Sequence, residues 1–364
     1  MKAFRIDIAI VITVLTLMVL GSVMVYSASA VKASRDMGDG GFFFKKQTAF
    51  AIAALVTMMI ASMIPYGFWR IAVAPLLVLT VGLLVALIAG WGHTANNATR
   101  WFRIGPLSLQ VAEFAKLVVV MYMARFLSGR EDEIRQNTAV LVRPLIILSI
   151  IIVLIAIEPD LGTAIFIGLL GCAMIFIAGA PLRLLVGVGL VSAPVIAFMV
   201  VGKEFRLQRI RAFLDPWKEY DGPGFQLVQS FLAFGDGGVL GTGLGGGKSK
   251  LLFLPESHTD FILAVVGEEL GFVGVAVVLA LFAVLVVRGM MVARDAPDSF
   301  GTLLASGLTL MVGLQALINS MVVLGLLPTK GMPLPFVSYG GSSLLTSAVA
   351  VGILLNVAAQ GRSS

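Results

Sequence analysis

Charged side chains that interrupt long apolar stretches are the residues best suited to chemistry in this sequence. In QVAEFAKLVVV, Glu113 and Lys116 lie three positions apart, so a helix places them on one face, where their charges neutralise each other. An uncompensated charge inside a bilayer costs at least about 2.5–3.5 kcal/mol. The pair is therefore either a structural ion pair or part of a polar cavity that opens at the membrane surface. Glu268 and Glu269 also lie inside an apolar run, and the sequence does not identify their partners.

Asp260 is the strongest candidate for a general base. It ends the segment LPESHTD and directly precedes a hydrophobic run, so it is either a helix cap or a reactive carboxylate at the border between water and lipid. Glu256 is the competing base, and His258 is expected to be a hydrogen-bonding neighbour rather than a metal ligand. In IEPDLGTA, we expect Glu158 or Asp160 to start a helix, because a carboxylate complements the positive end of the helix dipole.

The segment 327–343, LPTKGMPLPFVSYGGSS, cannot be a continuous helix because it contains three prolines and three glycines. Irregular backbone near membrane depth survives only where it is buried in protein or lines a wet cavity. Lys330, Ser338 and Ser342 supply hydrogen-bond donors there, and the amides at the start of the next helix suit phosphate oxygens. A simple turn followed by a helix cap is the alternative.

The composition places these residues in a membrane protein. The 364 residues are 59% hydrophobic and 13% charged, and the mean hydropathy is +1.01, whereas soluble domains have about 45–50% apolar and about 25% charged residues. A single cysteine excludes an intramolecular disulfide, and the two histidines give no support for a metal site. We therefore predict no cofactor; a divalent cation is compatible with the chemistry, but no ligand cluster for it is readable. A net charge of +6 without a basic face predicts no nucleic-acid binding.

Ten apolar runs approach the length of about 20 residues that spans a bilayer as a helix. The sequence therefore predicts an all-α polytopic membrane protein with about ten transmembrane helices in a single domain, residues 1–364. The runs lie near residues 7–27, 47–64, 71–90, 109–127, 143–157, 161–180, 182–201, 261–287, 301–326 and 341–360.

An even number of spans places both termini on one side, and Lys2 and Arg5 favour the cytoplasm. The long segment 202–260 is then an extracytoplasmic loop, and its amphipathic pieces, FRLQRIRAFL and FQLVQSFLAF, predict partial order at the membrane surface. Basic residues on this face indicate an anionic ligand there.

Five segments resemble the SEDS family of shape, elongation, division and sporulation proteins: ATRWFRIG, EFAKL, EPDLGTA, HTDFILAVVGEELG and KGMPLPFVSYGGSSLL. The resemblance covers nearly the whole chain, and the Ser-Tyr-Gly-Gly-Ser-Ser signature is highly specific. LPTKG and VMVYSAS are more similar to the family's division member than to its elongation member. Val111 and Ala112 stand where the family has Pro-Ser, and Ser257 stands where it has Ala.

The resemblance implies a peptidoglycan glycosyltransferase that polymerises lipid II at the outer face of the bacterial cytoplasmic (inner) membrane. It also implies a class B penicillin-binding protein, the transpeptidase, and other divisome proteins as partners. The essential acid of the family aligns with Asp260, and its conserved extracellular Trp aligns with Trp101. Its intramembrane polar residues align with Glu113, Lys116 and Asp160.

This activity leads to a hypothesis for each candidate residue. Asp260 accepts a proton from the acceptor sugar hydroxyl, which attacks the anomeric carbon of the donor and expels undecaprenyl pyrophosphate with inversion. Basic residues stabilise the leaving diphosphate, and Arg100 is a further candidate for that role. The predicted substrate-binding residues are Trp101, Arg103, Glu113, Lys116, Asp160, Arg206, Arg209, Arg211, Lys330, Ser338 and Ser342.

Two other classes of protein fit parts of the pattern. A lipid II flippase also combines many spans with buried charges, but a carrier is expected to show paired broken helices in corresponding halves, and the sequence shows one interrupted segment. A scaffold that only recruits division proteins leaves the charges of Glu113, Lys116 and Asp260 unexplained.

Overall fold

The computed structural model describes residues 7–95, 98–105, 107–248 and 257–361. A short 3-10 helix covers Thr138–Leu141, and three strands are β1 His93–Ala95, β2 Ala98–Ile104 and β3 Leu107–Gln110. The α-helices in these ranges are α1 Ile8–Met37, α2 Phe42–Met63, α3 Tyr66–Ile88, α4 Val111–Leu127, α5 Glu131–Gln136, α6 Val142–Ile157, α7 Leu161–Ile177, α8 Leu182–Val201, α9 Glu204–Leu214, α10 Phe225–Gly237, α11 Ile262–Arg294, α12 Ser299–Val323 and α13 Gly341–Gly361.

Each of the ten apolar runs falls on one long helix, so the all-α polytopic fold is confirmed. Eight helical segments among the described residues are long and apolar enough to cross a membrane. The remaining two helices, α4 and α7, have 17 residues each. The count of ten spans stays a prediction, because these two helices are shorter than an ordinary span.

Successive long helices alternate in direction, so their connections collect at two ends of the bundle. We call one of them the site end. Among the described residues it contains the connections 38–41, 89–95, 98–105, 107–110, 158–160, 202–248, 257–261 and 324–340. The first and last described residues, 7 and 361, lie at the opposite end, where Asp7 caps α1 and forms an ion pair with Arg288 of α11.

The centre of the bundle consists of α4, α12 and α13, whose side chains are mostly buried. Asn356 of α13 donates to the Ser62 carbonyl (2.7 Å) and accepts from the Tyr66 amide (2.8 Å), which fixes the turn between α2 and α3. Gly21 of α1 packs directly on the backbone of Val337, where an added Cβ would lie 2.6 Å from a Cα atom. In contrast, α8 has no buried residue and lies at the periphery.

Two features depart from the sequence analysis. The strands β1, β2 and β3 form an antiparallel sheet because Thr, Trp, Phe and Ile in ATRWFRI favour strands.

The second feature is a break in α11 at Gly271, whose φ is 67° and ψ −166°. The chain after α10 pairs with the break: the Thr242 amide donates to the Glu268 carbonyl (2.9 Å), and the Phe272 amide donates to the Gly238 carbonyl (2.9 Å). The expectation of a single interrupted segment is therefore wrong.

The amphipathic pieces of the 202–260 loop form α9 and α10. α10 packs closely on α11, since a Cβ on Gly237 would lie 2.0 Å from the Gly267 carbonyl oxygen. The described part of this loop is therefore ordered, as its apolar content predicts.

Candidate functional site

Glu113 and Lys116 form the predicted ion pair, with 2.7 Å between their charged atoms and both side chains buried. Lys116 also donates to the Gln315 side-chain oxygen (2.6 Å), and the Gln315 amide nitrogen donates to the Pro333 carbonyl (2.9 Å). The pair therefore connects α4 and α12 to the irregular segment before α13. The ion pair is thus observed, and a role of Glu113 and Lys116 in substrate binding stays a prediction.

Asp160 starts α7, as the sequence predicts. Its carboxylate accepts from the Thr163 amide (3.1 Å) and the Thr163 hydroxyl (2.9 Å). This capping bond fixes the carboxylate at the site end, where its negative charge acts on the neighbouring cations.

Arg100 attaches the sheet to the turn between α6 and α7. Its guanidinium donates to the carbonyls of Glu158 (2.9 Å) and Pro159 (2.7 Å). The Glu158 side chain is buried, and its Oε1 atom has no hydrogen-bond partner. Burial, helped by the charge of Asp160 and opposed by Arg100, raises the pKa of Glu158 to about 8. This carboxyl group therefore keeps its proton at neutral pH.

The arginines of α9 point in two directions. Arg206 and Arg209 are three residues apart and share one face, and Arg206 donates to the Met199 carbonyl (2.8 Å). Arg209 is exposed to solvent as a residue, but nearby protein atoms partly desolvate its guanidinium. This desolvation and the charge of Arg100 lower the pKa of Arg209, while Asp260 and Asp160 oppose the effect. Arg211 lies on the other face, exposed and 3.3 Å from Glu204. The helix thus brings Arg209 towards Asp260, with Arg206 beside it, whereas Arg211 pairs with Glu204 instead.

The irregular segment approaches α7 through Lys330 and the turn before α11 through Gly331. The Lys330 ammonium donates to the Gly162 carbonyl. A Cβ on Gly162 would lie 2.1 Å from Lys330 Cε, so any larger residue at this position would displace the lysine side chain. A Cβ on Gly331 would lie 2.9 Å from Asp260 Oδ2. Burial lowers the pKa of Lys330 to about 7, with Asp160 opposing and Lys116 adding to the effect.

These residues form what we call the charge cluster: Arg100, Glu158, Asp160, Arg206, Arg209, Asp260 and Lys330. Its members come from β2, the α6–α7 turn, α9, the turn before α11 and the segment before α13. Arg209 interacts with the carboxylates of Asp260 and Asp160, and Arg100 and Arg206 lie beside Arg209. Lys330 interacts with Asp160. In this arrangement a carboxylate can remove a proton while the cations stabilise a developing anion nearby. Within the described ranges, no group of three His, Cys, Asp or Glu side chains could hold a metal ion, so we assign no metal-binding residues.

Four other predicted site residues lie in the sheet or in the signature segment. Trp101 is half-buried in β2 and pairs with Gln110 of β3. Arg103 is exposed in the same strand. Ser338 donates to the Thr259 carbonyl (2.5 Å), and Ser342 donates to the Ser108 carbonyl (2.7 Å). Both hydroxyls therefore hold backbone segments together, and their binding of phosphate stays a prediction.

The sequence predicts Arg103 as a substrate-binding residue and Arg100 only as a further candidate for stabilising the diphosphate. It predicts no chemical role for Glu158, Gln315 or Asn319. Strand alternation separates the two arginines, because residues three apart in a strand point to opposite faces. The spacing of Gln315 and Asn319 could have identified them as a pair of functional polar residues, since two amides four residues apart share one face of an apolar helix.

Glu268, Glu269 and His258, which the sequence analysis also names, have partners outside the charge cluster. Glu269 accepts from the Ser27 hydroxyl (2.7 Å), and Glu268 accepts from the Lys248 amide (2.5 Å). The His258 ring packs between Phe43 and Tyr339, 4.7 and 5.7 Å between ring centroids. Glu256 lies outside the described residues.

Comparison with known proteins identifies the family. Residues 8–363 match the cell cycle protein family of FtsW, RodA and SpoVE. The chain belongs to this family. Among its relatives, the probable peptidoglycan glycosyltransferase FtsW of Trichlorobacter lovleyi is 44% identical over 98% of this chain and 95% of its own length. Stage V sporulation protein E of Bacillus subtilis is 41% identical over 98% of each chain.

Solved structures of the FtsW/RodA/SpoVE family share the fold. One chain, from work on the structural coordination of polymerization and crosslinking by a peptidoglycan synthase complex, has a TM-score of 0.82 and 29% identity over 99% of both chains. The rod shape determining protein RodA of Thermus thermophilus has a TM-score of 0.72 and 26% identity over 98% of both chains. The protein is thus an integral membrane protein with the architecture of this family.

Proposed function

We propose that this protein is a peptidoglycan glycosyltransferase that polymerises lipid II into glycan strands during cell division. The observation that carries the proposal is the position of Asp260, a carboxylate at the site end of the bundle that interacts with Arg209 of the charge cluster and lies against Gly331. The names of its FtsW relatives support the same activity.

In the proposed reaction, Asp260 accepts the proton of the acceptor sugar hydroxyl while the hydroxyl oxygen bonds to the anomeric carbon of the donor. The bond from that carbon to the diphosphate breaks from the opposite side, which inverts the configuration. Undecaprenyl pyrophosphate leaves with the electron pair, and Arg209, Arg100 and Lys330 stabilise its charge. Because the diphosphate is a stable anion, the step needs no strong general acid.

The proposed orientation places the site end outside the cytoplasmic membrane and both termini in the cytoplasm. The amphipathic α9, which carries Arg206 and Arg209, then lies at the outer membrane surface, where the lipid diphosphate would be bound. The partner is a class B penicillin-binding protein with transpeptidase activity, together with other divisome proteins. The structural neighbour that belongs to a peptidoglycan synthase complex supports a crosslinking partner.

The test is polymerisation of labelled lipid II by the purified protein and its transpeptidase partner. We expect glycan chains from the wild type and none from Asp260→Ala, with protein level and partner binding unchanged. Glu204→Gln, which removes an exposed acid of the same loop, is the matched control and should polymerise normally. Wild-type polymer from Asp260→Ala would overturn the proposal, and lipid II transport without polymerisation would instead identify a flippase.

A further inference from the structure

α12 presents two buried amides to the irregular segment before α13. Gln315 and Asn319 are one helical turn apart, and each is only 2% exposed. Gln315 binds the Pro333 carbonyl and the Lys116 ammonium, so it belongs to the Glu113–Lys116 pair. Asn319 makes a different connection, which reaches the charge cluster.

The amide nitrogen of Asn319 bridges two chain segments. It donates to the Asp260 carbonyl at 2.8 Å and to the Met332 carbonyl at 2.7 Å. An amide NH2 group has two hydrogens, so this single side chain uses both of its donors to join the turn before α11 to the segment before α13. The Oδ1 atom of Asn319 is buried without a hydrogen-bond partner. The hydrogen bonds of this side chain are therefore the two that its NH2 group donates.

The bridge lies directly beside the proposed reacting group. Gly331, next to the bridged Met332, lies so close to Asp260 that a Cβ there would be 2.9 Å from its carboxylate oxygen. Lys330 precedes Gly331 and is held by the Gly162 carbonyl. The bridge therefore limits how far the backbone of Asp260 can move from the backbone of the segment 330–332.

We propose that Asn319 is a positioning residue, which holds the Asp260 carboxylate in register with Lys330 through its two hydrogen bonds to the Asp260 and Met332 carbonyls. This inference rests on the proposed function, because it assigns Asn319 to the glycosyl transfer performed at Asp260. Asn319 itself touches no substrate. It acts on the rate because small displacements of a reacting group cause large losses in catalysis.

The test compares Asn319→Asp, Asn319→Ala and Asn319→Ser with Ser320→Ala in the lipid II polymerisation assay. Asn319→Asp keeps the size of the side chain but has no donor when ionised, whereas Ser keeps a single donor. Ser320 is the matched control: it is buried in the same helix, and its hydroxyl bonds only within that helix, to the Ala316 carbonyl (2.8 Å).

We expect Asn319→Asp and Asn319→Ala to lower kcat about 10²-fold, while KM for lipid II and partner binding stay near wild type. Asn319→Ser, which retains one bond, should lose less, and it serves as the test variant if the other two fail to fold. Ser320→Ala should keep the wild-type kcat.

Three results would overturn the inference. Wild-type kcat in the folded Asn319 variants, alongside inactive Asp260→Ala, would remove the positioning role and leave the proposed function intact. Equal losses in kcat and affinity for the Asn319 variants and Ser320→Ala would reduce Asn319 to a packing residue. A wild-type protein that makes no glycan with its partner would overturn the proposed function, and the role of Asn319 with it.

Discussion

Lys330 is the residue whose charge depends most on its surroundings. Its ammonium is largely buried between α7 and the irregular segment, and its pKa is lowered to about 7. A lysine with such a pKa is only partly charged at neutral pH. If it holds the diphosphate of the donor, substrate capture must depend on pH in this range.

We expect kcat/KM of the wild type for lipid II to fall as the pH rises above about 7, because the neutral amine no longer attracts the diphosphate and kcat/KM reports ionisations of the free enzyme. Lys330→Met should have a lower kcat/KM at every pH and should lack this fall. Steady-state rates from about pH 6 to about pH 9 measure both effects. The same alkaline fall in Lys330→Met would assign the ionisation to another group.

Glu158 makes the stability of the protein depend on pH. Its ordinary pKa is 4.5, and burial with the charge of Asp160 raises it to about 8 in the folded protein. Between these values the folded protein holds a proton that the unfolded chain has lost, so stability falls as the pH rises through this window. Below 4.5 both states are protonated, and the penalty disappears.

Glu158→Gln removes this penalty, because the amide never ionises. We expect the variant to match the wild type near pH 5 and to unfold a few degrees higher above pH 8, as measured by thermal unfolding in detergent. The exposed Glu204→Gln should show no such pH-dependent gain. A constant difference between Glu158→Gln and the wild type at both pH values would contradict the assignment.

At the scale of elements, the break in α11 fixes the chain that follows α10. Gly271 has a backbone conformation open only to glycine, and its Cα faces the Gly241 amide so closely that a Cβ would lie 2.4 Å away. The broken turn frees the amide of Phe272, and Gly238 supplies its hydrogen-bond acceptor. The kink and the loop therefore require each other.

Gly271→Ala should lower the melting temperature of the purified protein, since the backbone strain alone costs about 1–3 kcal/mol and the methyl group collides with Gly241. Gly82→Ala in α3 is the control, because nothing lies within 4 Å of a Cβ at that position. Thermal unfolding of both variants tests this. An undiminished melting temperature for Gly271→Ala would show that the helix can continue without the break.

The long helices were predictable, whereas the sheet and the kink were not. Apolar runs such as 182–201 match α8 residue for residue, because lipid-facing helices must be apolar along their whole length. The sheet depends on Arg100 and Ser342, which bond it to the α6–α7 turn and to α13. The kink depends on the pairing of Gly271 with residues near Gly241, and one-dimensional hydropathy contains neither contact.

At the scale of the whole molecule, the site end and the opposite end must lie on different sides of the membrane. Asp221, in the loop after α9, and Asp132, in α5, are exposed at these two ends. Cys172 is the only cysteine in the sequence, so single-cysteine variants can report which end is outside.

In a Cys172→Ala background, we expect Asp221→Cys to react with a membrane-impermeant maleimide on intact cells, and Asp132→Cys to react only after the membrane is opened. The reason is that water-soluble reagents reach only the outer ends of the helices. Cys172→Ala alone is the unlabelled control. Labelling of Asp132→Cys in intact cells would reverse the proposed orientation.

The charged residues of the site were found from their types, but their grouping was not. Asp260, Lys330 and Asp160 were singled out because acids and cations are rare beside apolar runs. Their proximity depends on Asn319 and Gly162, whose contacts cross more than 50 positions of the chain. No local sequence pattern encodes contacts between residues that are so far apart in the chain. The sequence analysis therefore includes Arg211 in the site and gives Glu158 no chemical role.

The charge cluster draws on residues from Arg100 to Lys330, and the chain is made from its N-terminus. A ribosome therefore releases Arg100, Asp160 and Arg209 into the membrane long before Lys330 exists, and the charge cluster is incomplete until then. Every truncated product that ends before α13 lacks part of the site or its support. Completion of the charge cluster is thus coupled to synthesis of the segment before α13, and shorter fragments are expected to be inactive in the lipid II polymerisation assay.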